Sequence, residues 1–471
     1  MLNEIKEEFN MSLLLVTHDM GVAANIADRI IVMYAGDIVE EAAVHEIFTK
    51  PHHPYTRGLL HSVTKLDSPK EKNLYSISGS IPNLSDLPGG CSFHPRCPFA
   101  TDECKKKNPS LQKVNGRLTA CIFAEELVKR SDWLKPDDNL IVNEAENLPV
   151  TAPKEEVLME VKHLKKYYPL TRGFGNHSIK AVDDVTFSIN KGEVFGLIGE
   201  SGSGKSTLGR VLLQLEKATS GTVKLQKEEL HNMNRAGLRK TRQEMQMIFQ
   251  DPHGSINPRW KIKDIIAEPL IAHRKIEKKL VYEHVQELMI KVGLKKEWMN
   301  RYPHEFSGGQ RQRIGIARAI ALHPSFIVAD EPVSALDVSI QAQIINLIKD
   351  LQQSMNLTFL FIGHGLSTVR YISDRVGVMY LGKLMEIAPA NELFSYPAHP
   401  YTQALIESNL EPDPLKNRMK TTINGEIPSP ANPPTGCRFR TRCPLATERC
   451  AQEEPELNQI APGHYAACHY L

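Results

Sequence analysis

Three short stretches gather residue types that suit phosphate chemistry. "GESGSGKST", Gly199 to Thr207, places Gly199, Gly202 and Gly204 around Glu200, Ser201, Ser203, Lys205, Ser206 and Thr207. Glycines let a backbone curl until its N–H groups surround phosphate oxygens. A lysine at this spacing reaches the β and γ phosphates, and the serine hydroxyl can ligate Mg2+. "FIVADEP" ends an apolar run in two adjacent carboxylates, Asp330 and Glu331. Successive strand residues point to opposite sides, so Asp330 can hold Mg2+ while Glu331 accepts a proton from an attacking water. "FSGGQRQRIGIARAI" opens an arginine-rich helix with the turn Ser307, Gly308, Gly309, Gln310. Exposed amides at a helix start attract anions, although the same turn also serves as an ordinary N-cap. One nucleotide does not need two anion sites from one domain, so this second site suits a nucleotide held by a partner. Gln250, ending "MQMIFQ", and His364, ending "LTFLFIGH", add polar groups at two further strand ends, where each alone would more often be structural.

These residues need particular elements to hold them. The apolar "EVFGLI" precedes the glycine-rich loop and the helical "LGRVLLQL" follows it, which is the strand-loop-helix context that gives the motif its meaning. From residue 157 to about 400, short apolar strands alternate with amphipathic segments. That alternation predicts a mixed α/β domain with a largely parallel sheet.

At 471 residues the chain has room for two or three domains. Its 57 basic and 55 acidic residues leave a formal net charge of +2, with no basic footprint for nucleic acid or an acidic membrane. No run approaches the roughly 20 apolar residues that span a bilayer. The start "MLNEIKEEFN" is acidic and amphipathic, unlike a secretory signal, so a cytosolic chain is expected.

An internal repeat sets the organisation. "MLNEIKEEFNMSLLLVTHDM" aligns with "LIKDLQQSMNLTFLFIGHGL" at an offset of 346, so that His18 answers His364, and "HPYT" at 53–56 answers "HPYT" at 399–402. Cys91, Cys97 and Cys104 match Cys437, Cys443 and Cys450 at the same offset, while Cys121 and Cys468 differ by 347. The expected units are 1–65, the C-terminal remnant of a first copy of the complete domain; 66–123, an extension with a cysteine quartet; 124–155, an acidic, proline-containing linker; 156–400, a complete domain; and 401–471, a second extension. About 190 residues of the complete domain have no counterpart in the first repeat. Residues 13–17, "LLLVT", read as the last catalytic strand of that first domain, and Met1 reads as an internal start.

The ordered motifs resemble those of the ATPase subunits of ATP-binding-cassette (ABC) transporters, in the bacterial oligopeptide and dipeptide importer branch. "GESGSGKST" resembles the Walker A motif, Gln250 the Q-loop, "FSGGQ" the signature, "FIVADEP" the Walker B motif, "SALD" at 334–337 the D-loop, and His364 the switch histidine. The "HPYT" segments and cysteine-bearing tails are similar to the C-terminal extension of the peptide-importer branch. The resemblance implies a P-loop nucleotide-binding domain of the ABC type, with a RecA-like core, a helical subdomain and Cys-containing extensions. It implies ATP and Mg2+, with Ser206, Gln250 and Asp330 around the metal, Glu331 as base, and His364 and Gln250 completing the catalytic set. Tyr168 is expected to stack on adenine, with Tyr167 as the alternative. Two such domains would close head to tail over two ATP molecules, so that Ser307 to Gln310 touch the partner's nucleotide. The second domain would come from an upstream fragment or a homodimer. Integral-membrane permease subunits and a separate substrate-binding protein are the implied partners, at the cytoplasmic face of the cell membrane and without nucleic acid. Nickel or glutathione-like cargo, a soluble cassette ATPase acting on nucleic acid or ribosomes, and a truncated or split gene product are the alternatives.

The quartets space their cysteines by five, six and then sixteen or seventeen intervening residues. Four thiolates suit iron-sulfur or zinc, and this spacing decides between neither. The resemblance favours a four-iron four-sulfur cluster on each quartet, with zinc or unligated thiols as the alternatives. His94 and His469 lie nearby as bystanders. One departure from the family pattern is Gly365: the switch histidine is normally followed by Asp, as His18 is by Asp19, and a glycine there is expected to loosen the turn that orients His364.

Overall fold

The computed structural model describes residues 5–6, 8–82, 84, 86–135, 156–170, 178–252, 254–273, 276–277, 279–415 and 425–471. In the N-terminal repeat, strands β1 (Arg29–Tyr34), β2 (Asp37–Ala43), β3 (Gln112–Val114) and β4 (Arg117–Thr119) form an antiparallel sheet in the order β1-β2-β4-β3. Its two hairpins turn on Ala35-Gly36 and Asn115-Gly116, all four residues having positive φ. Two-residue turns of this kind match the twist of the strands they join.

The C-terminal repeat and the region before it supply β5 (Val157–Pro169), β6 (Ser178–Asn190), β7 (Val194–Ile198), β8 (Ser220–Leu225), β9 (Glu228–Glu229), β10 (Met245–Ile248), β11 (Phe326–Asp330), β12 (Thr358–Ile362), β13 (Arg375–Tyr380), β14 (Lys383–Pro389), β15 (Asn458–Ala461) and β16 (His464–Ala466). An antiparallel sheet runs β6-β5-β8-β9, and the main sheet runs β10-β11-β12-β7-β13-β14-β16-β15. Its first five strands are parallel and the rest antiparallel. β7, β11 and β12 are buried at every position. Uninterrupted apolar runs are what a parallel strand covered on both faces requires. Helices Ile262–Ala272, Val281–Lys291 and Gly308–Ile320 build a layer whose buried Ile265, Leu288 and Ile316 belong to the same core as Ile327 and Phe359 of the sheet. The expected α/β domain with a helical subdomain is therefore present. Its catalytic candidates all follow the C-terminal ends of adjacent parallel strands, where open α/β sheets place ligands.

Three features differ from the sequence expectation. The cysteine-bearing extensions are not separate units: β4 pairs with β2 and β16 with β14, so each tail adds edge strands to the sheet before it. The boundaries expected at 65/66 and 400/401 thus cut through packed structure. Residues 124–135, expected as the start of a linker, begin with the helix Ala124–Val128 and bury Trp133, whose indole N–H donates to the Pro51 carbonyl at 2.8 Å. Aromatic burial anchors this stretch, and the rest of the expected linker, 136–155, lies outside the described residues. Finally, residues 11–17 form no strand, and Leu14 and Val16 are exposed.

The repeats touch. Asn346, on helix Val338–Met355, accepts from the Leu74 amide at 2.9 Å and donates to the Leu74 carbonyl at 2.8 Å. Gln343 donates to the Ile77 carbonyl at 2.7 Å.

Candidate nucleotide site

The loop after β7 is shaped by two close approaches. Gly199 has φ +150° and Gly204 φ +104°, and a Cβ would lie 2.1 Å from the Met379 carbonyl oxygen at the first and 2.0 Å from that of Ala181 at the second. Only glycine fits either place. The loop then feeds helix Lys205–Leu212. The Lys205 ammonium donates to the carbonyls of Gly199 at 2.8 Å and Glu200 at 2.9 Å, and to Ser203 Oγ at 3.2 Å, using all three of its N–H groups. Burial pushes this lysine below its ordinary pKa range, and Glu331 and Asp330 push it back. Ser206 Oγ donates to Asp330 Oδ1 at 2.8 Å. Two hard oxygen donors converging on one point fit Mg2+.

Glu331 sits just past the end of β11 with φ +47°, an uncommon conformation for a residue with a side chain. Gln250 Nε2 donates to Glu331 Oε2 at 2.7 Å, and His364 Nε2 meets Oε1 at 2.5 Å. The carboxylate is buried, whereas His364 is half exposed. The two carboxylates thus have separate partners, Ser206 for Asp330 and Gln250 with His364 for Glu331. Tyr167 donates to Asp183, while Tyr168 donates to Glu216.

Ser307 caps helix Gly308–Ile320: its amide donates to Gln310 Oε1 at 3.0 Å and its Oγ accepts from the Gln310 amide at 3.4 Å. Gln310 Nε2 also reaches Ser80 Oγ of the N-terminal repeat at 3.3 Å. The signature segment thus faces the other repeat rather than joining the Glu331 cluster. A cavity of about 770 Å³ also lies between the repeats, lined by His18, Asp19, Glu331, Ser334 and His364 among others.

Asp19 accepts from the Val22 amide at 3.0 Å and caps helix Met20–Ile26; Gly365, at the same place before helix Leu366–Ile372, gives no side-chain cap. Replacing such a cap by glycine costs only a few tenths of a kcal/mol. The role of "HPYT" was not legible in the sequence. His399 Nδ1 accepts from the Tyr401 amide at 3.0 Å, and buried Glu386 accepts from the amides of Ala398 at 2.8 Å and His399 at 2.9 Å. His53 and Glu40 repeat this arrangement. A glutamate thirteen residues before each histidine was the available signal.

Cys91, Cys97, Cys104 and Cys121 line one cavity of about 20 Å³. Burial pushes the thiols of Cys97 and Cys121 up to about 12, and that of Cys437 up to about 11. Such a volume takes about one water-sized group. Among the described residues no group of three or more His, Cys, Asp or Glu is arranged to hold a metal ion. The expected sets, Cys91, Cys97, Cys104 and Cys121 with Cys437, Cys443, Cys450 and Cys468, form no disulfides.

The ABC transporter family profile matches residues 182–334. That of the oligopeptide/dipeptide transporter C-terminal region matches twice, at 39–104 and 385–450. The chain is 51% identical over 328 residues to the oligopeptide transport ATP-binding protein AppF of Bacillus subtilis (strain 168), covering 68% of this chain and 99% of AppF. It belongs to the oligopeptide/dipeptide family of ABC transporter ATPases. The putative oligopeptide transport ATP-binding protein YkfD of the same organism is 52% identical over 66% of this chain and 95% of its own length. Among solved structures, the ATP-binding cassette MJ0796 bound to ADP and Pi is similar at 27% identity and a TM-score of 0.45, over 50% of this chain and 99% of that one. In this ABC ATPase the first match contains the phosphate loop, Gln250, Ser307–Gln310 and both carboxylates, and His364 lies between the matched regions.

Proposed function

We propose that this ABC ATPase binds and hydrolyses ATP to energise a peptide importer. The observation that carries the reading is Glu331, its carboxylate clamped between Gln250 and His364 beside the Ser206–Asp330 pair. In this reading Lys205 exchanges loop carbonyls for phosphate oxygens, and the Gly199–Thr207 amides receive the β phosphate. Ser206, Gln250 and Asp330 would hold Mg2+, which neutralises phosphate charge when bound. Glu331 takes the proton of the attacking water, Gln250 orients that carboxylate, and His364 turns from it towards the γ phosphate. Tyr168 is the adenine-side aromatic, with Tyr167 as the alternative.

The finer proposals follow from the repeat. Residues 1–65 are read as the C-terminal part of a first ATPase domain, which the contact between Gln310 and Ser80 supports by turning the signature towards that repeat. Its complement, a second ATPase domain, comes from an upstream fragment or a homodimeric partner. Permease subunits, engaged near Gln250, and a separate substrate-binding protein choose the cargo, and this chain works at the cytoplasmic face of the membrane. No helix among the described residues is long and apolar enough to cross a membrane, which leaves the crossing to those subunits in this reading. Iron-sulfur or zinc ligation by the quartets rests on thiol chemistry alone; metal analysis and a visible spectrum of anaerobically purified protein test it, and colourless, metal-free protein excludes both.

Glu331→Gln tests the central reading. Turnover should fall by about 10² or more while ATP stays bound, as expected for removal of a general base. A loss below about tenfold would remove Glu331 from that role. Co-purification with a permease tests the coupling.

A further inference from the structure

The tail after the ATPase core reaches back to the phosphate loop. Arg442 donates to Glu200 Oε2 at 2.7 Å through Nη1 and to Oε1 at 3.0 Å through Nη2, a bidentate pair in which the guanidinium is almost wholly buried. The same Nη1 lies 3.3 Å from the Tyr380 hydroxyl. The main chain of Glu200 is held separately: its amide donates to the Tyr401 hydroxyl at 2.9 Å. Phe439, three residues before Arg442, packs against the rings of Tyr380 and Tyr401, with centroids 5.5 and 5.2 Å away. A second tail arginine, Arg438, pairs with buried Asp183, which also accepts from Tyr167. The segment 438–442 therefore clasps both the phosphate loop and the neighbouring β5–β6 region.

Glu200 and Ser203 begin and end the tight part of the loop, the Ser203 amide donating to the Glu200 carbonyl at 3.2 Å. The same carbonyl holds Lys205. A fork-shaped arginine on the Glu200 carboxylate fixes direction as well as distance, which a single-point cation does not. We propose that Arg442 is a positioning residue for ATP: through Glu200 it holds the phosphate loop in its binding shape, so the cysteine-bearing tail sets nucleotide affinity. In the N-terminal repeat the equivalent Arg96 donates instead to the carbonyls of Ser78 at 3.0 Å and Ile77 at 3.3 Å. The arginine is common to both repeats, whereas the clasp on a phosphate loop belongs to the second.

The inference rests on the nucleotide site proposed above, and steady-state ATP hydrolysis by the full chain tests it. Arg442→Gln and Glu200→Gln should each raise KM for ATP by about tenfold, the scale of a lost charged hydrogen bond, with kcat held within about threefold. The double variant should be no worse than either single one, and Arg442→Lys should recover part of the loss. Thermal midpoints taken alongside separate loss of fold from loss of affinity, and Glu200→Gln reports on the pair if Arg442→Gln does not fold. An unchanged KM, additive single effects, or a fall in kcat alone would overturn the proposal. Lys205→Ala in a nucleotide-binding assay separates the two levels. If it binds ATP like the wild type, the site reading itself fails; if it loses binding while Arg442→Gln keeps wild-type KM, only the clasp fails.

Discussion

The two repeats share the order β1-β2-β4-β3 and β13-β14-β16-β15, but among the described residues the N-terminal one has no strand matching β12 or β7. In the C-terminal repeat β7 lies between β12 and β13, and Leu360, Ile362 and Met379 are 0% exposed. At the matching positions of the N-terminal repeat, Leu14, Val16 and Met33 are 88%, 90% and 58% exposed, and β1 pairs with β2 alone among the described residues. The same kind of apolar sequence is core in one setting and surface in the other. Burial here is decided by the strand that carries the phosphate loop, so the element that makes the site also completes the fold around it.

The largest expected contrast follows from this. Leu360→Asp places a charge in a closed core and should cost more than about 4 kcal/mol, whereas Leu14→Asp should fall within about 0.5 kcal/mol. Denaturant unfolding of the two variants checks it, and equal costs would mean that the first repeat also has a closed core.

Acid should weaken both repeats alike. Burial lowers His53 to about 3 and His399 to about 4, so both rings stay neutral in the folded chain. The unfolded chain takes up protons near pH 6.5, so this contribution is fully present above that pH and is lost as pH falls towards about 4. Each ring should cost on the order of 2 kcal/mol at pH 4.5. Urea unfolding at pH 7.5 and 4.5 tests this, and a midpoint independent of pH would show that the rings are not buried neutral. The smallest contrast is the cap. Asp19→Gly should cost, and Gly365→Asp should gain, a few tenths of a kcal/mol. A Cβ at Gly365 meets Thr368 Oγ1 at an ordinary 3.5 Å, so nothing blocks the gain. If Gly365→Asp is destabilising, the two turns are not equivalent.

The sequence made the phosphate loop, the paired carboxylates and the signature turn readable because each is contiguous and its chemistry depends on local spacing. Gln250 and His364 were readable as strand-end polar groups, but not their convergence on Glu331, which needs the order of β10, β11 and β12. The Arg442–Glu200 clasp spans 242 residues and leaves no periodic trace. The cysteine quartets are a different case: Cys91, Cys97, Cys104 and Cys121 gather around one small cavity, but their spacing names no ligand. Trp133 anchors a stretch whose composition resembles a linker, because one buried ring outweighs many polar neighbours.

The most direct test of the difference between the repeats sets their two histidines side by side. His364 meets Glu331 in the domain that carries the phosphate loop, and its counterpart His18 has no phosphate loop in its own repeat. ATP hydrolysis by His364→Ala should fall by about 10² or more, while His18→Ala should hydrolyse ATP at the wild-type rate. Equal losses in the two variants, or an active His364→Ala, would contradict the placement of catalysis in the C-terminal repeat.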